Sequence, residues 1–150
     1  MKASLLLLML VICLSSFSQS LPDFSFTTVE GTQLNKAALK PNTPVIVFYF
    51  DPYCEVCIQQ AATIKKAMDK LANATMVWVS WAEMEDLKIF KDTHLPKAKN
   101  IIVTKDANFM FDGLFGYSEV PAIFVYNASW SLTAKFSKET SVEDLVKAIK

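Results

Sequence analysis

Cys54 and Cys57, in the run Cys54-Glu55-Val56-Cys57, are the residues of this chain whose type and spacing best suit chemistry. They lie between a continuous apolar run, Val45-Ile46-Val47-Phe48-Tyr49-Phe50, and a segment of helical periodicity over residues 58–71. That placement puts a dithiol at the N-terminus of a helix. There the unpaired backbone N–H groups and the positive end of the helix dipole stabilise a thiolate, the form of sulfur that attacks disulfides. The spacing therefore points to redox exchange. The same spacing also opens zinc sites and structural disulfides. A closed zinc site takes about four ligands, and outside the pair the chain offers only His94 and Cys13. A disulfide over so short a loop restrains the unfolded chain little. Both stand as alternatives to exchange.

The first residues form a unit of their own. Lys2 is followed by an unbroken apolar stretch over residues 5–14 and then by Ser15-Ser16-Phe17-Ser18-Gln19-Ser20. This pattern predicts a cleavable secretory signal peptide over residues 1–18. Ser16-Phe17-Ser18 satisfies the small-x-small cleavage rule, with Gln19 as the new first residue. The apolar core is about ten residues, short of the roughly twenty needed to span a bilayer, so no stable membrane insertion is expected after cleavage. Cys13 reads as packing within the leader. Export to an oxidising compartment lets disulfides persist, and the mature chain keeps Cys54 and Cys57 alone. One domain, residues 19–150, has the length to bury a core.

Charge gives little direction. The formal net charge is +0 and every strongly basic residue is a lysine. Lys65-Lys66, and Lys97 with Lys99, read as solvated faces rather than phosphate contacts, so no nucleic-acid partner is expected.

The elements that must position the dithiol alternate between strand and helix. Residues 24–29 alternate as a strand, Glu30-Gly31 turns, and residues 32–34 pair back as a hairpin. Asn35 caps a short helix through Leu39. Residues 45–50 suit a central strand buried on both faces. Residues 76–80 form a strand, 82–93 a helix with Met84, Leu87 and Phe90 on one face, 101–103 a short buried run, and 108–115 a short helix. Residues 122–126 and 132–136 are hairpin partners about a turn at 127–129. Ser141 caps a last helix to Lys150, with Asp144 in its first turn. The fold class is α/β, a central mixed sheet flanked by helices. His94, before Leu95-Pro96, reads as a C-terminal capping or loop residue. Trp78, Trp81 and Trp130 read as core and rim. Met84, Met110 and Phe111 read as packing rather than as the lining of a substrate groove.

This order, with the two cysteines after the first central strand and Val120-Pro121 before the late hairpin, resembles the thioredoxin superfamily, and within it the exported thiol-disulfide oxidoreductases of the TlpA type. Leu21-Pro22-Asp23-Phe24-Ser25-Phe26 is similar to that family's opening segment, Gly31 to its hairpin turn, and residues 48–57 to its strand and active site. The resemblance implies a thioredoxin-like fold with an N-terminal β-hairpin extension over essentially all of residues 19–150. It implies that Cys54 is the exposed attacking thiol and Cys57 the buried resolving thiol. It further implies that Pro121 is a cis-proline opposite them, that the backbone of Val120 is free to pair with an extended substrate, and that Tyr53 shields the site. No cofactor is implied. The implied partners are protein thiols and disulfides and an upstream thiol electron donor. A monomer is expected, and the expected location is the bacterial periplasm, which lysine-only basicity and the short leader fit, with secretion or an uncleaved signal anchor as the alternatives.

The chain departs from that pattern in places. Tyr53 stands where the family carries tryptophan. Phe48 occupies the strand position where thioredoxins carry a buried aspartate that assists proton transfer, so a water, Glu55 or another carboxylate has to take that part. Asp51 is open between a turn role and a catalytic one. Glu55 opposes a nearby thiolate and raises its pKa, which favours the disulfide and hence a reductase. Two other readings stand beside it. A peroxiredoxin-like thiol peroxidase shares the fold, yet such enzymes place a threonine before the reactive cysteine and an arginine elsewhere; here Asp51-Pro52-Tyr53 precedes Cys54 and the chain has no arginine. The non-enzymatic readings are a metallochaperone of related fold and a binding module with a structural disulfide.

Overall fold

Val45–Tyr49, five apolar residues in succession, form a strand in which every residue is buried. A strand can do this only where both faces of its sheet are covered. In the computed structural model, residues 19–116 and 119–150 are described; the leader expected over 1–18 lies outside them. The elements in chain order are β1 (Ser25–Thr28), β2 (Gln33–Asn35), β3 (Val45–Tyr49), α1 (Glu55–Lys66), β4 (Thr75–Ser80), α2 (Met84–His94), β5 (Ile101–Lys105), α3 (Phe111–Phe115), β6 (Ala122–Tyr126), β7 (Leu132–Phe136) and α4 (Val142–Ala148).

The strands form one sheet in the order β2-β1-β5-β4-β3-β6-β7. β3, β4 and β5 run parallel, with Tyr49 beside Val79 and Val79 beside Thr104. β6 is antiparallel to β3, with Ala122 opposite Tyr49. Side chains of β3 alternate between two cores, as the pleat requires. Ile46 and Phe48 join Cys57, Ala61 and Ile64 of α1, Leu87 and Phe90 of α2, and Leu145 of α4. Val45, Val47 and Tyr49 join Leu21, Phe24, Phe26 and the two phenylalanines of α3. The result is the expected mixed α/β sheet flanked by helices, with β1 and β2 as the N-terminal hairpin. Gly31 turns that hairpin at φ 87°, a conformation glycine adopts without steric cost.

Three elements differ from the sequence expectation. The segment 58–71 is not one helix: α1 starts at Glu55, ends at Lys66, and is followed by a 3-10 turn, Met68–Leu71. The break falls at Ala67 (φ −136°, ψ 36°), whose N–H turns back to the Ile64 carbonyl; Leu71 is fully buried from the 3-10 turn, and Asn100 Nδ2 donates to the carbonyls of Leu71 and Ala74 beyond it. The helix expected from Asn108 begins only at Phe111, because the buried carboxylate of Asp106 accepts the N–H groups of Met110 (3.0 Å) and Phe111 (2.8 Å) and fixes the start there. Phe109 before it is left-handed, at φ 52°, and 71% exposed. Phe111 packs as expected, but Met110 is exposed and not a packing residue. The final helix stops at Ala148, whose carbonyl accepts from Thr133 Oγ1 at 2.7 Å.

The dithiol helix is tied to the far end of the chain by one buried amide. Gln60 Nε2 donates to the Thr140 carbonyl (3.1 Å), and Gln60 Oε1 accepts the Thr140 N–H (2.7 Å). Replacing Gln60 with leucine leaves two buried backbone groups without partners. The substitution is expected to lower the unfolding free energy by about 3 kcal/mol, measured by urea denaturation against the unaltered chain.

Candidate active site

β3 delivers the chain to the dithiol through a turn built by one aspartate. Phe50 N–H still bonds to Val79 O of β4 (3.0 Å), and the chain then leaves the sheet. Asp51 accepts twice. Its carbonyl takes the Cys54 N–H at 3.1 Å and its Oδ1 takes the Tyr53 N–H at 2.9 Å. Cys54, extended at φ −76° and ψ 117°, becomes the N-cap of α1, and its Sγ accepts the Cys57 N–H at 3.3 Å. An oxygen usually fills that place; here a sulfur does, accepting an N–H of the first turn.

The two thiols differ. Cys54 is half-buried and Cys57 has no exposed surface. Burial, first of all, pushes the Cys57 thiol up to about 12; its hydrogen bond with Cys54 and the charges of Cys54 and Asp51 add to this, while a backbone hydrogen bond at Asp51 opposes it. Cys57 is therefore protonated at neutral pH. Of the two roles its sequence position left open, the hydrogen bonds of Asp51 show the turn; its charge also bears on the buried sulfur. Glu55 is exposed at the first position of α1 and is not among the groups that act on Cys57.

Tyr53, 76% exposed, donates its hydroxyl to Asp86 Oδ1 of α2 at 2.7 Å, and that bond raises the phenol pKa. The Val120–Pro121 peptide is cis. Because Ala122 is paired with Tyr49, Pro121 joins the sheet at the end where β3 leaves for the dithiol. Val120 is partly buried, packed against both cores. Phe48 is 2% exposed and stacked on Trp78 with ring centroids 4.3 Å apart. An aromatic pair fills the position that an acid holds in thioredoxins.

His94 ends α2, its ring 5.2 Å from that of Phe90. It lines an open groove of about 400 Å³ together with Pro52, Tyr53, Ile58, Asp86, Ile89 and Phe90. Sequence reasoning singled out neither Asp86 nor Ile89. The available signal was an isoleucine on what the Met84-Leu87-Phe90 face leaves as the outer side of the helix. Among the described residues, no group of three or more His, Cys, Asp or Glu side chains is placed to hold a metal ion.

Residues 17–132 match the model of the AhpC/TSA family. The chain belongs to the AhpC/TSA family. Its solved structural neighbours carry the same fold. A secreted Mycobacterium tuberculosis disulfide oxidoreductase homologous to E. coli DsbE is 18% identical, with 84% of this chain and 93% of that one covered and a TM-score of 0.69. StoA from Bacillus subtilis is 14% identical, covering 88% and 100%, with a TM-score of 0.68. Peroxidoxin BcpB from Mycobacterium tuberculosis is 16% identical, covering 88% and 94%, with a TM-score of 0.74. No curated protein sequence matches the chain. Family and fold together make this AhpC/TSA chain a thiol-disulfide oxidoreductase of the thioredoxin superfamily.

In this AhpC/TSA chain, Asp51→Asn keeps an oxygen to accept the Tyr53 N–H but removes the charge that Cys57 feels. The Cys57 pKa is expected to fall below its present value of about 12, read from the pH dependence of its alkylation after Cys54 is blocked. An unchanged profile would show that burial and Cys54 alone set it.

Proposed function

We propose that the chain is an exported thiol-disulfide reductase in which Cys54 attacks and Cys57 resolves. The observation that carries the reading is the asymmetry of the pair: a half-buried sulfur capping a helix N-terminus, beside a fully buried, protonated one. The Cys54 thiolate attacks one sulfur of a client disulfide. A bond forms from Cys54 Sγ to that sulfur, the client S–S bond breaks, and the other client sulfur leaves as a thiolate and takes a proton. Cys57 then loses its proton and attacks Cys54 Sγ. The intramolecular disulfide closes, the second client thiol departs, and two electrons have passed to the client. An upstream thiol donor restores the dithiol.

The direction follows from the cost of charge on Cys57. Burial, first of all, and Asp51 disfavour its thiolate, which withholds stabilisation from the reduced form on the Cys57 side, and strongly oxidising pairs are those whose reduced form is stabilised. Tyr53 and the Val120–Pro121 segment, at the same end of the sheet, are proposed as the client's contacts. Export is supported by the leader pattern over residues 1–18, with a secreted protein among the fold neighbours. The peroxidase reading is disfavoured by Asp51-Pro52-Tyr53 before Cys54 and by a chain without arginine.

Equilibration of residues 19–150 with thiol buffers, followed by alkylation, is expected to give a reduction potential near or below about −250 mV. A value near about −120 mV would assign an oxidant instead. Cys57→Ser is expected to accumulate mixed disulfides with clients that Cys54→Ser does not form, visible on non-reducing gels. Hydrogen peroxide consumption by the reduced protein at the rate of disulfide reduction would return the peroxidase reading.

A further inference from the structure

Resting on the dithiol exchange proposed above, we infer that the groove between the Cys54 turn and α2 seats the client. The occupant is an extended protein segment carrying an apolar side chain and a lysine or arginine within about three residues of its reacting cysteine. α2 offers Asp86, Ile89, Phe90 and His94 to this groove, positions i, i+3, i+4 and i+8, which form one stripe along a helix. Facing them are Pro52, Tyr53 and Ile58. Ile58 lies one turn beyond Cys54 and donates its N–H to the Cys54 carbonyl at 3.0 Å, and Tyr53 directly precedes Cys54, so the groove lies within one helical turn of the attacking cysteine. From Asp86 to His94 the stripe rises about 12 Å, the span of three to four extended residues.

Exposure and charge select the occupant. Tyr53 (76%), Ile89 (56%) and Val56 (39%) are three of the five large hydrophobics exposed among the described residues, and all three belong to the Cys54 turn, the first turn of α1 or α2. The ionisable groups lining the groove are Tyr53, Asp86 and His94, with no lysine. Lys91 of α2 is paired with Glu30, and Lys105 at the end of β5 with Glu83. Asp51 and Glu55 add negative charge to the same turn. The Asp86 carboxylate already holds the Tyr53 hydroxyl and retains capacity for further donors. An apolar floor with an acidic end, joined through Tyr53 to the turn that carries Cys54, therefore complements a client that is apolar and cationic next to its cysteine.

The test uses the reduced protein and synthetic peptides joined to glutathione through a single cysteine, with peptide release followed by mass spectrometry. A peptide with leucine and lysine flanking the cysteine is expected to show a kcat/KM on the order of tenfold above one with leucine and glutamate, and above one with serine and lysine. In Asp86→Lys the ranking of the lysine and glutamate peptides inverts. In Asp86→Asn their ratio falls towards one. Both readouts are ratios within one protein, so a partial loss of folding does not produce them. Equal rates for all peptides, or an unchanged ranking in both variants, overturn the assignment. Oxidised glutathione separates the two proposals: exchange with it without discrimination among peptides overturns the groove alone, whereas exchange with neither overturns the dithiol reading as well.

Discussion

The hand-over from β3 to α1 rests on one contact, the Cys57 N–H pointing at Cys54 Sγ across the first turn of the helix. A helix that begins inside a protein must find partners for its first N–H groups. Using a sulfur for that purpose places a reactive atom where the backbone is most electropositive, so the structural need and the chemical one are met by the same atom. The rest of the fold holds this junction still. β3, buried on both faces, fixes where the chain leaves the sheet, Asp51 shapes the turn, and the Gln60–Thr140 pair anchors the helix one turn past Cys57.

The second cysteine owes its behaviour to the core beneath it. The Phe48–Trp78 stack makes the layer behind Cys57 aromatic, and a thiol in apolar surroundings resists ionisation. The charge that bears on it comes from the turn in front, through Asp51, rather than from the strand behind. The charge that acts on the buried thiol thus lies at the end of β3, where the chain leaves the sheet.

Much of this could be read in the sequence because the signals were strong and local. The continuous apolar run at 45–50 has no stable place except a covered strand. The cysteine spacing fixes both sulfurs on one helical turn, and Ser141 with Asp144 marks a helix start that the structure keeps, with the Asp144 N–H on Ser141 Oγ at 3.1 Å. What could not be read were decisions made by distant partners. Periodicity carries α1 on to Leu71, but the backbone breaks at Ala67 and Leu71 is buried from a 3-10 turn, whose last carbonyl Asn100, 29 residues away, holds. Asp106 delays α3 through hydrogen bonds a pattern of apolar residues does not register. Asp86 entered the site only because Tyr53 reaches it across 33 residues.

The left-handed backbone of Phe109 has a consequence for the molecule's reserves. An L-residue with a side chain in that region carries a cost of roughly 1–2 kcal/mol, and a ring that is 71% exposed recovers little of it through burial. Asp106 sets the conformation from one side and the aromatic layer of α3 from the other, so the loop keeps its shape despite the residue that occupies it. The chain therefore bears a cost at a surface position that Phe109→Gly would relieve, and only that relief would add latitude for destabilising changes elsewhere.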